Sequence, residues 1–222
     1  MLLMSISVEA AYADSLEAAL VKAAPDANAK VIALAVRAAQ CRLAQGEVPA
    51  QRLAVIDYSL PSTEQRLWVF DLKRRTLLFH ELVAHGRNSG ENMASQFSNQ
   101  NESKATSLGL YRTRSTYVGQ NGYSLRMEGL EPGFNDRAFD RAIVIHGAPY
   151  VSRDLARLNG RIGRSLGCPA VRPAIAHQLI DSMKDGQLLF SYYPDRQWLS
   201  SSSFINCDKS TVAEVSKPGT SY

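Results

Sequence analysis

Residues 52–85 read RLAVIDYSLPSTEQRLWVFDLKRRTLLFHELVAH. Three apolar runs lie within them: Arg52–Tyr58, Arg66–Leu72 and Thr76–His85. Each is rich in β-branched and aromatic residues and is bounded by turn formers, the pattern of a strand. Lys73-Arg74-Arg75, the only run of three basic residues, falls between the second and third. So short a run between apolar segments reads as a solvated hairpin turn, not a nucleic-acid contact. Further strands follow at Leu108–Arg114, Tyr123–Gly129, Arg141–Gly147 and Gln187–Tyr193. Asn121-Gly122 marks a two-residue hairpin, and Glu131-Pro132-Gly133 a turn. Ser152 caps a short helix through Asn159, and Pro173 opens another to Met183. Arg87–Ser107 is long and polar, the character of a functional loop.

Upstream, Asp14–Gln45 reads as helix, interrupted at Pro25 and restarting near Asn28. Val31, Leu34, Ala35, Ala38 and Cys41 form its apolar stripe, and Gly46 stands at the glycine cap. The expected architecture is one mainly β domain over residues 51–207, a β-sandwich or barrel with short helices. A helical N-terminal extension over residues 14–50 precedes it, and a polar, flexible tail over residues 208–222 follows.

The 222 residues carry a net charge of +4, with 45% hydrophobic and 21% charged side chains. That is an ordinary globular composition, and the basic residues are scattered. No stretch approaches the ~20 apolar residues of a membrane span. Residues 1–13, MLLMSISVEAAYA, end in the small-x-small form of a signal-peptidase site, although a basic leading region is lacking. They read as a signal-peptide remnant, with an ordinary helix start as the alternative. The expected location is periplasmic or extracellular.

The chemistry concentrates at two places. In Ser165-Leu166-Gly167-Cys168-Pro169, glycine permits unusual backbone angles and close approach of a substrate, and proline offers no N–H. The Gly167 and Cys168 amides are therefore the candidate oxyanion donors. Ile145-His146-Gly147 closes an apolar run, which places a histidine at a rigid strand end. An imidazole can take the proton of a thiol whose free pKa is near ~8.5, so His146 and Cys168 form a candidate base and nucleophile. With Cys168 so employed, Cys41 and Cys207 remain to form a disulfide, two buried thiols being the alternative. His80 and His85 are five apart on one strand-like run, hence on opposite faces, which argues against a zinc site.

The stretches AVIDYS, RLWVFDL, LVAHGRNSG, FSN, SLGLYRT, GYSLRMEGLEPGFND, AIVIHGAPYVS and GRSLGCPAVRP together resemble the YkuD-type murein L,D-transpeptidase catalytic domain, from about Leu53 to Phe204. The resemblance implies that Cys168 is acylated by a peptidoglycan stem peptide and His146 acts as base. An amine then resolves the thioester, with no metal or organic cofactor. The alternatives are hydrolysis of the same bonds and a non-catalytic wall-binding module. His85, Gly86, Ser98, Asn99, Gly147 and Ser165 are the expected substrate contacts. Leu166 and Ala170 stand where many members carry histidine and arginine, and Arg164 and Arg172 are the expected replacements for that arginine. The implied partner is the peptidoglycan stem peptide in a wall- or membrane-proximal setting, and the expected state is a monomer.

Overall fold

The structure, a computed structural model, describes residues 8–46 and 48–207, with side chains from Leu16 onward. The expected tail and the first seven residues of the expected leader lie outside the described residues. Two helices come first, α1 (Val8–Ala23) and α2 (Ala29–Ala44). Pro25 separates them as its missing N–H requires. The Asn28 side chain caps α2 by accepting from the Lys30 amide, and Gly46, with φ 87°, closes it. No helix of the described residues is long and apolar enough to cross a membrane.

The remainder is built on one eight-stranded sheet. Its strands are β1 (Arg52–Asp57), β2 (Leu67–Asp71), β3 (Thr76–Glu81), β4 (Gly109–Gly119), β5 (Gly122–Gly129), β6 (Val144–Gly147), β7 (Ala170–Val171) and β8 (Leu188–Tyr192), ordered β3-β2-β1-β8-β4-β5-β6-β7. Between them lie α3 (Arg153–Asn159) and α4 (Pro173–Met183), and α5 (Arg196–Ser201) follows β8. The basic triplet forms the β2–β3 hairpin turn, as its setting predicts.

Strand β1 explains the quoted stretch. It pairs antiparallel with β2 and parallel with β8, so it lies inside the sheet. Its residues alternate between two cores. Leu53 and Val55, with Trp68, Phe70, Leu110 and Phe190, face α1, α2 and α5. Ala54 and Ile56, with Val69, Tyr111 and Leu189, face the core that holds α4 and Cys168. With both faces covered, a continuous apolar run is what the strand needs.

The outer strands of the order, β3 and β7, approach each other. Val83 bridges to Val171, the Ala84 amide donates to Ala170 O at 2.8 Å, and Gly86 bridges to Ser165. The chain leaving β3 thus closes the sheet against the segment that carries Cys168.

Several details differ from the reading of the sequence. The β4–β5 loop is Gln120-Asn121, one residue earlier than expected, because Gly122 pairs with Gly119 and supplies the left-handed position (φ 71°) itself. Arg141–Ile143 is not strand: Ala142 takes φ 52°, and β6 begins only at Val144. Strand β7 has two residues and α5 six, both too short for periodicity to reveal.

Candidate active site

Cys168 lies just before β7, and β6 runs parallel to β7 with His146 opposite Ala170. The base candidate therefore sits on β6, and the nucleophile candidate just before the strand that pairs with it. Gly147 makes room for α4: a Cβ there would meet the Ala176 Cβ at 2.9 Å. His146 is buried, and its Nδ1 lies 3.0 Å from the Gly147 carbonyl. That contact requires the proton on Nδ1 and leaves Nε2 with the free lone pair.

The Cys168 thiol is nearly buried and is the free cysteine of the chain. Its sulfur accepts from the Val144 amide at 3.5 Å and donates to Ala142 O at 3.8 Å. The imidazole is not among its hydrogen-bond partners. Burial pushes the thiol up, against a smaller downward pull from the Val144 N–H and then the Arg141 charge. Burial also pushes His146 down. Both shifts favour a neutral thiol beside a neutral imidazole at rest.

Ser165 braces the cysteine loop. Its hydroxyl donates to Cys168 O at 2.6 Å and accepts from the Gly167 amide at 3.0 Å. Of the expected oxyanion pair, the Gly167 N–H is engaged by the Ser165 hydroxyl in this structure. Gly167 has φ 126°, and a Cβ there would lie 2.9 Å from Ala105 O and 3.0 Å from Ile143 Cδ1. Here the glycine serves close packing under the loop. Ser165 itself is buried and bridges the Cys168 carbonyl and the Gly167 amide.

Most of the other expected substrate contacts are engaged within the protein in this structure. His85 is fully buried: Arg66 Nη2 donates to its Nδ1 at 2.7 Å, and its Nε2 lies 3.2 Å from Gly90 O. Burial first, then the Arg66 charge, pulls its pKa down to about 4. Gly86 threads so tightly that a Cβ would meet Lys104 O at 2.5 Å. Ser98 offers its carbonyl to Arg141 and Ser107, and Asn99 is tied to Asp136 and the Arg137 amide. Arg164 is engaged by Arg87 O, Gly90 O and Glu91. Arg172 forms a bidentate pair with Glu81 at 2.8 and 2.6 Å. The fork of Arg172 is thus occupied by Glu81, whereas Arg164 is held through Nη1. His80 stacks on Trp68, away from this neighbourhood.

A cleft of about 560 Å³ is lined by Asn101, Glu102, Lys104, Asp140, Arg141 and Leu166, the last of these lying two residues before Cys168 in the chain. None of these six was singled out as a contact from the sequence, although four of them carry charge. Leu166 is 60% exposed at its edge and faces solvent. Tyr150, half-buried, has its phenol pushed up to about 12 by burial and then by the Cys168 charge. Tyr58, fully buried, is pushed up chiefly by burial, with the Cys168 charge the least of its causes. Among the described residues, no cluster of His, Cys, Asp and Glu is placed to hold a metal ion.

Residues 23–192 match the family model of the L,D-transpeptidase catalytic domain. No curated protein is significantly similar to the chain. Among solved structures it is similar to an L,D-transpeptidase from Mycobacterium smegmatis, at 13% identity and TM-score 0.41, over 65% of this chain and 59% of that one. It is also similar to L,D-transpeptidase 1 of Mycobacterium tuberculosis, at 14% and 0.36, over 66% and 64%. A third is Bd1075 of Bdellovibrio bacteriovorus, at 15% and 0.40, over 64% and 48%. The chain spans less than two thirds of the length of each.

Proposed function

Because this chain belongs to the L,D-transpeptidase catalytic-domain family, we propose that it transfers acyl groups between peptidoglycan stem peptides through a thioester on Cys168. The observation that carries the proposal is the setting of that thiol. It is the free cysteine, held between backbone groups of residues 142 and 144, one strand from a histidine whose Nδ1 is fixed by a carbonyl. A turn cysteine with no chemical role has no need of such a neighbour.

The neutral resting pair sets the order of events. Substrate entry brings an electrophilic carbonyl to the sulfur. The Cys168 S–H proton passes to His146 Nε2 as the S–C bond forms, and negative charge moves to the carbonyl oxygen beside the Cys168 amide. Collapse breaks the C–N bond, and His146 returns the proton to the leaving amine. An acceptor amine then attacks the thioester, gives up its proton through His146 and releases Cys168. The acceptor is an amine in transpeptidation and water in hydrolysis. The Cys41–Cys207 disulfide is compatible with work outside the cytoplasm.

The test is incubation with purified muropeptides and with a carbapenem, read by mass spectrometry. The wild-type chain should form a covalent adduct on Cys168 and cross-linked or exchanged products. Cys168→Ala should form neither, and His146→Ala should slow adduct formation by roughly 10²-fold or more. Adduct or turnover in Cys168→Ala at the wild-type rate overturns the proposal.

A further inference from the structure

Arg141 is the charged side chain of the cleft that interacts with the nucleophile, and nothing in the reading of the sequence marks it. Its two Nη atoms are fully engaged. Nη1 donates to Ser98 O at 2.8 Å and Ser107 Oγ at 2.5 Å, and Nη2 to Ala105 O at 2.7 Å and Ser103 Oγ at 3.1 Å. All four acceptors are neutral. Glu102, Lys104 and Asp140 share the cleft, yet Arg141 makes no ion pair with either carboxylate. The positive charge is fixed in place and left uncompensated.

It is also close to the sulfur's own loop. Nη2 lies 3.4 Å from where a Cβ on Gly167 would be, an ordinary van der Waals distance that places the guanidinium beside the residue preceding Cys168. The next residue, Ala142, adopts φ 52° and offers its carbonyl to Cys168 Sγ, while Val144 offers its amide. Glu102 and Lys104, which flank the Arg141 anchor Ser103, hold φ 56° and 54°. Three non-glycine residues in the left-handed region around one cleft is backbone strain of the kind found where geometry serves chemistry.

We infer that Arg141 is a positioning residue for Cys168: a cation clamped by the residue 98–107 loop that favours the thiolate over the thiol when His146 takes the proton. Four donors are already spent, so only Nε–H is left, and a bidentate grip on a substrate carboxylate is not its role. The direction of its effect agrees with the geometry, since each group favours the charged form of the other. The other titratable groups around the sulfur are His146, Tyr150 and Tyr58. The two phenols are pushed up by burial and stay neutral over the range tested.

This inference rests on Cys168 being the nucleophile, but its test needs no peptidoglycan. The rate of iodoacetamide labelling of Cys168 is followed against pH by mass spectrometry of the labelled peptide. Arg141→Gln should raise the midpoint by about one pH unit and slow labelling below it about tenfold, whereas Arg141→Lys should stay within about threefold of wild type. A bracket with a purely structural role would lower the melting temperature in both variants and leave both midpoints alone. Should Arg141→Gln fail to fold, Ser103→Asp places a carboxylate against the guanidinium with Arg141 intact, and it should raise the midpoint in the same direction. An unmoved midpoint in the folded variant overturns the inference. Failure of the wild type to act on muropeptides overturns the proposed function instead, and the two results are separable.

Discussion

A buried histidine carrying no catalytic duty can still dominate the pH response of a fold. His85 accepts from Arg66 at Nδ1, so protonation would set two cations 2.7 Å apart in a buried core, where the Asp57 carboxylate already interacts with Arg66. Its pKa falls from the ordinary 6.5 to about 4. Between those values the unfolded chain binds a proton that the folded chain refuses. Stability therefore rises with pH through this window. The contribution is complete above about pH 6.5 and is lost as pH falls toward about 4, by roughly 3 kcal/mol in all. Urea unfolding at pH 7 and pH 4.5 measures it. His85→Gln keeps an acceptor for Arg66 and should show a shallower pH slope than wild type. An identical slope would mean that other groups set the acid limit.

At the scale of elements, the turn that delivers Arg141 is held by one carboxylate. Glu131 accepts from the Leu110 amide at 2.7 Å on β4 and from Trp198 Nε1 at 3.0 Å on α5. Asn135 closes the same turn by accepting from the Glu131 amide and donating to Leu110 O. Glu131→Ala would leave two buried donors without an acceptor. It should cost about 2–4 kcal/mol in urea unfolding and shift Trp198 emission to the red as α5 loosens. Unchanged emission would show that α5 docks without this tie. None of this was legible in the sequence, where Glu131-Pro132-Gly133 reads only as a turn. What was legible follows from pattern: β1 and β2 from apolar runs, α3 from Ser152, α4 from Pro173 and the α1–α2 break from Pro25. Such signals act within a few residues. Strand β7 exists only because Ala170 and Val171 find β6 and the chain after β3, and no local pattern encodes that. The same distinction separates the site residues. Cys168 and His146 announce themselves by type and flank, whereas Arg141 matters through contacts with residues 34 to 43 positions away. Arg172 looked available because sequence shows charge and not the Glu81 that holds it.

At the scale of the whole molecule, the two faces of the sheet divide the work. One core holds Cys168 and α4; the other holds α1, α2 and α5 and the ring of Trp198. The Cys41–Cys207 disulfide joins α2 to the end of the described chain across a sequence separation of 166. It therefore clasps the outer core, with the chemistry on the opposite side. Closing so long a loop restricts the unfolded chain by about 5 kcal/mol in the chain-entropy picture, an upper figure because measured effects often fall short. The double variant Cys41→Ser/Cys207→Ser should accordingly unfold at markedly lower urea concentration. Its single remaining thiol should still form the Cys168 adduct within about twofold of the wild-type rate at 25 °C, where the protein remains folded. Equal urea midpoints would show that α1 and α2 are held by packing alone. A collapse of adduct formation in the folded variant would show that the outer layer reaches through the sheet, and the separation of stability from chemistry across β1 would fail.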